Sequence, residues 1–168
     1  DAELYLNNNQ ITSLSPASFY LNGGTFVYLA LNKNKITSVS EGTITMLGTS
    51  SKYLDLSYNN LATVSLGSDT NPPLTQQQSL ILNNNSLTSI DCNKLAINIG
   101  AAYNYIDLHN NQISSLANCG SGGPLDTSQK VYLDLSYNSL TAIKSGGLNF
   151  KGLVSQLILK NQNAVFNS

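Results

Sequence analysis

The heptapeptide YLDLSYN occurs twice without a change, at Tyr53–Asn59 and again at Tyr132–Asn138. Within it, Leu-x-Leu is the period-2 signature of a short strand with one buried face. A strand that buries two leucines has no core of its own, so the motif is intelligible only as one element of a stack. The Asn that ends the motif sets the register for finding the others. LYLNNNQITSL carries the equivalent Asn9, YLALNKNKITSV Asn34, LILNNNSLTSI Asn85 and YIDLHNNQISSL Asn111. With Asn59 and Asn138 these make six copies, spaced by 25, 25, 26, 26 and 27 residues. All six fit L/I-x-L-x-x-N-x-L/I-x-x-L/V/I, across nearly the whole chain.

Copies stacked ~4.8 Å apart form a parallel sheet over a continuous core. The chain turns inward at each Asn. A short amide carries donors and an acceptor together, so it can satisfy the backbone of its own turn and that of a neighbouring rung. The ladder Asn9, Asn34, Asn59, Asn85, Asn111 and Asn138 is therefore expected to be structural.

This pattern resembles the leucine-rich repeat superfamily over roughly residues 2–166. LSPASF at Leu14–Phe19 resembles its typical extracellular subtype, with an aromatic ten positions past the Asn. Ile44, Leu95 and Leu148 hold the same offset. The resemblance implies a repeat solenoid of the α/β class, a curved right-handed superhelix. It would carry a parallel β-sheet on its concave face and mostly irregular convex segments, with little regular helix. Residues 1–168 read as one domain of six clear repeats and a degenerate seventh near 157–166. There Leu157 and Leu159 fit, but Gln162 takes the ladder position, Ala164 the next apolar one, and Asn163 comes one place late. Of the convex segments, the stretch around Asn71-Pro72-Pro73 should be extended, Asn118–Asp126 loop-like, and Asp91–Gly100 able to hold a helical turn.

Composition narrows the function. Apolar residues make up 41% of the 168, close to the globular norm. Charged residues are only 10%, far below the usual ~25%. There is no Arg, and the net charge is −1. A phosphate-binding surface needs clustered cations, so nucleic acid and anionic membrane surfaces are poor partners. No apolar run approaches the ~18 residues of a membrane helix, so no membrane insertion is expected in this segment. The neutral polar surface suits a secreted or cell-surface location.

Alternate strand positions leave the core. Six before the ladder Asn stand Glu3, Tyr28, Tyr53, Ser79, Tyr105 and Tyr132. Four before stand Tyr5, Ala30, Asp55, Ile81, Asp107 and Asp134; two before stand Asn7, Asn32, Ser57, Asn83, His109 and Ser136. These three columns should pave the exposed sheet face. One before, at its rim, come Asn8, Lys33, Tyr58, Asn84, Asn110 and Tyr137.

Tyrosines offer large contact area at low entropic cost, which suits protein or glycan recognition, although stacked Tyr also fits a pleated surface for stability alone. The candidate binding residues are Tyr28, Tyr53, Tyr105, Tyr132, Asp55, Asp107, Asp134 and His109. Asp107 and Asp134, on adjacent rungs, could raise one another's proton affinity or hold a cation. Ile81 and Ala30 interrupt the acidic column, and no metal site or cofactor is assigned. His109, Asp107 and Ser136 can be drawn as a catalytic trio. A flat sheet offers that chemistry no oxyanion hole, and no enzyme activity is expected.

Cys92 and Cys119 lie seven and eight positions past their ladder Asn on consecutive rungs. That separation is compatible with a disulfide, and equally with two buried thiols. Asn84-Asn85-Ser86 is the one N-glycosylation sequon, making Asn84 the candidate acceptor. The chain starts inside a strand, with no polar or Cys-rich cap at either end. It is expected to be a fragment or an uncapped unit of a longer array. Two functions follow. One is a non-enzymatic extracellular protein- or glycan-binding or adhesion module. The other is a structural subunit of an extracellular filament or matrix, its copies stacked end to end.

Overall fold

Each Leu-x-Leu segment becomes one strand, and each ladder Asn closes the turn behind it. The computed structural model describes residues 2–16, 18–19, 26–44, 53–66, 79–92, 94–95, 105–117, 131–141 and 154–162. Asn71-Pro72-Pro73, Asn118–Asp126, Cys119, Leu148, Asn163 and Ala164 lie outside them. The strands are β1 (Ala2–Tyr5), β2 (Phe26–Ala30), β3 (Ser38–Val39), β4 (Tyr53–Asp55), β5 (Thr63–Val64) and β6 (Ser79–Ile81). They continue with β7 (Ser89–Asp91), β8 (Tyr105–Asp107), β9 (Ser115–Ala117), β10 (Val131–Asp134) and β11 (Val154–Ile158).

One seven-stranded sheet runs in the order β1-β2-β4-β6-β8-β10-β11, one strand per rung. Every neighbouring pair is parallel, as expected of a chain that returns behind its own sheet. The leucines of successive rungs pile into a single core. Leu29, Leu31, Leu54, Leu56, Leu80, Leu82, Ile106, Leu108, Leu133 and Leu135 are all essentially inaccessible. Phe19, Ile44 and Leu95, at the offset of ten, are buried with them.

The ladder is held by repeated amide bonds. The Asn59 side-chain nitrogen donates to the carbonyls of Leu56 and Ser57 in its own turn and of Leu31 in the preceding rung. Its oxygen accepts the Ile36 amide of that preceding rung. Asn34, Asn85, Asn111 and Asn138 repeat the set. Asn9, on the first rung, bonds only within its own turn.

The seventh rung is less degenerate than its sequence suggests. Gln162 accepts the Leu140 amide at 3.1 Å and donates to the Leu135 carbonyl at 2.8 Å, which are the two cross-rung bonds of a ladder Asn. One extra methylene lets it reach across, and it holds its own turn only through the Lys160 carbonyl at 3.5 Å.

The return segments are also more regular than expected. β3 pairs with β5 and β7 with β9, giving two short parallel ladders behind the core. Once the sheet fixes the rung spacing, backbone groups just beyond the turn are held at strand distance and pair. Among the described residues there is no helix, and the segment from Asp91 holds a single turn closed by the Leu95 amide on the Asp91 carbonyl. None of the described segments forms a helix long and apolar enough to cross a membrane.

Candidate functional site

The pairing register joins Glu3, Tyr28, Tyr53, Ser79, Tyr105, Tyr132 and Gln156 into one row across the sheet. Tyr28 and Tyr53 stack with centroids 4.6 Å apart and planes 5° from parallel. Tyr105 and Tyr132 stack at 5.0 Å and 24°. Ser79 stands between the two pairs, so the row is two aromatic blocks rather than one. Tyr5, from the next column, leans on Tyr28 at 5.1 Å and lengthens the first block. Stacking turns the ring faces toward each other and leaves edges and hydroxyls for the solvent side. Burial, and then the charge of Asp55, pushes the Tyr53 hydroxyl up to about 12. Burial and then Asp107 raise Tyr105 well above the ordinary phenol value. These hydroxyls stay protonated donors throughout the neutral range.

The second and third columns are only partly exposed: Tyr5 is open to solvent and Asn7, Asn32, Ile81, His109 and Asp134 are intermediate, but the rest are buried. Asp55 is 9% and Asp107 7% accessible, and Ser57, Asn83, Ser136 and Ala30 are buried too. The rung spacing leaves little room for water between side chains, and the carboxylates fold back onto the backbone. Asp55 accepts the Ser57 amide at 2.9 Å and its hydroxyl at 2.6 Å. Asp107 accepts the His109 amide at 3.0 Å, and Asp134 the Ser136 amide at 2.8 Å. Asp in L-D-L therefore closes the end of its own strand, as Asx residues do in turns. Of the three acids only Asp134 keeps intermediate exposure.

His109 Nδ1 lies 2.6 Å from Asp107 Oδ1, an ion pair when the ring is protonated. Its Nε2 faces the Asn83 amide nitrogen, 3.4 Å away on the fourth rung. Ser136 belongs to the sixth rung, so the ring turns away from it and the drawn trio is not assembled. The fold does bring Asp134 up to the pair. One ligand atom each from Asp107, His109 and Asp134 lies within 4.8 Å of the others. Tyr105 closes the group by donating its hydroxyl to Asp107 Oδ2 at 3.2 Å.

At the rim, Asn8, Lys33, Tyr58, Asn84, Asn110, Tyr137 and Asn161 all adopt φ between 52° and 57°. This is the left-handed region, costly for a bulky side chain and easiest for Gly or Asn. Tyr58 and Tyr137 hold it while remaining 52% accessible, and Lys33 Nζ sits 6.0 Å above the Tyr58 ring. The sequence marks these residues as rim positions but not as strained ones; the recurrence of Asn in that column is the signal of the left-handed turn. The side chain of Asn84 accepts a hydrogen bond from Asn110. Behind the core, Cys92 is buried and disulfide-bonded.

The leucine rich repeat family model matches residues 2–61, the first three rungs. A comparison with curated proteins finds no match to the chain.

Proposed function

This chain is a leucine-rich repeat protein, of a family that is typically non-enzymatic and mediates protein binding, and we propose that its tyrosine-lined sheet face is the binding surface of an extracellular recognition module. The row of stacked tyrosines carries this reading. Its rings are half-buried and prearranged on strands, so little side-chain freedom is lost on binding. Tyr28 is covered on both faces by Tyr5 and Tyr53, whereas Tyr53, Tyr105 and Tyr132 each stack on a single neighbouring ring. Ring edges and hydroxyls line the row, with Asp55 and Asp107 buried beside them, an arrangement that fits a protein partner. Tyr58 and Tyr137 extend the surface at the rim. The disulfide at Cys92 and the scarcity of charge support an oxidising, extracellular setting.

The test is a capture experiment on secreted and cell-surface proteins, comparing wild type with Tyr28→Ala/Tyr53→Ala and Tyr105→Ala/Tyr132→Ala. Exposed return-side substitutions, Ser38→Ala and Ser115→Ala, serve as controls. A partner lost with the tyrosine pairs supports the reading. A partner lost with the return-side changes and kept by the tyrosine variants refutes it.

A further inference from the structure

We propose that Asp107, His109 and Asp134 form a binding site for a divalent transition-metal ion such as Zn(II). Strand alternation sets Asp107 and His109 on one face two residues apart, and the β8–β10 register sets Asp134 directly across from Asp107. Their ligand atoms already lie within 4.8 Å of one another. An ion ~2.0–2.2 Å from each donor spans pairs up to about 4 Å apart, so side-chain rotation alone completes the shell. The ring has to leave one of its present partners, Asp107 or Asn83, to offer a nitrogen.

The donor set selects the metal. One imidazole nitrogen and two carboxylate oxygens suit zinc and its neighbours, whereas calcium wants six to eight oxygens. Three protein ligands leave a position open to water or to a partner's side chain.

Two further observations favour a cation here. Asp107 is buried, and its contact with His109 is the one ion pair between described residues, so two carboxylates share at most one positive ring. Buried charge is ordinarily paired or bound to metal. The backbone is also fixed in advance, because the Asn111 and Asn138 amides lock both turns and the His109 and Ser136 amides aim the carboxylates.

His109 is the only histidine, so untagged protein gives one set of imidazole resonances. Titration with Zn(II) should shift them and saturate near one ion per chain. Calorimetry on His109→Gln and Asp134→Asn should show affinity reduced on the order of 10-fold or more, while Asp55→Asn leaves it unchanged. Imidazole resonances that stay in place at millimolar Zn(II) would overturn the site. So would calorimetric binding that survives both substitutions in variants with native circular dichroism. If a variant does not fold, the wild-type resonances still decide.

Discussion

Asn138 has no accessible surface, and its side chain makes four hydrogen bonds, three donated and one accepted. The cost of losing it depends on which groups are left without a partner. The Leu108 and Leu135 carbonyls keep amides from Asn111 and Gln162, so the orphan that matters is the Ile113 amide. Asn138→Leu should therefore cost about 1–3 kcal/mol in denaturant unfolding. Asn9→Leu should stay within about 0.5 kcal/mol, because the Leu6 carbonyl retains Asn34. Equal losses at the two sites would contradict this account of the ladder. The rim residues test strain instead. Tyr137 pays a left-handed φ of 53° without a short polar side chain, so Tyr137→Asn should stabilise by about 1 kcal/mol. Tyr58 is a poorer test, since its contact with Lys33 offsets part of the gain. The ladder could be read from the sequence because six Asn recur at one register, and the five from Asn34 to Asn138 meet the same set of partners. The acids could not, since alternation says only that a side chain leaves the core. Whether Asp55 then meets water or its own backbone is decided by rung spacing.

Among elements, the two tyrosine blocks differ from a continuous stripe by one residue. Ser79→Tyr should join Tyr53 to Tyr105 across β6, adding roughly 0.5–1.5 kcal/mol to stability for each new ring contact. A melting temperature unchanged or lowered would mean the gap is needed for fit. The raised phenols also fix a pH response. Tyr53 titrates at about 12 in the fold against an ordinary 10.0, so the unfolded chain loses its proton first. Between these values the folded state holds more protons, and stability falls as pH rises. Below pH 10 the contribution of Tyr53 is fully present. Unfolding free energy should thus decline from about pH 10 upward, more gently in Tyr53→Phe. With no Trp in the chain, tyrosinate absorbance follows the same titration cleanly. The strand row was legible because Leu-x-Leu fixes both face and register. The short β3–β5 and β7–β9 ladders were not, since each contributes only one residue of the repeat pattern, such as Val39 or Val64, too little to mark a strand, and they pair once the main sheet has set their spacing.

For the whole molecule, stability is a sum of rungs and of the boundaries between them. Reducing the disulfide at Cys92 should lower stability by about 2–4 kcal/mol. The loss should be local. Hydrogen exchange should rise at β7 and β9, which flank the Cys92 amide bond to Ala117, and remain slow at β2 and β4. Uniform acceleration across all strands would instead indicate one indivisible folding unit. The ladder has a mechanical consequence as well. Each amide reaches back to the rung before it, and nearly the same bonds recur at each boundary from Asn34 to Gln162. Stretched between its two ends, such a chain should open one latch after another at almost constant force. With repeats of 25–27 residues, each opening would release on the order of 80–100 Å of extended chain. The covalent bond at Cys92 would shorten one of those steps. The solenoid would then behave under load as an extensible tether.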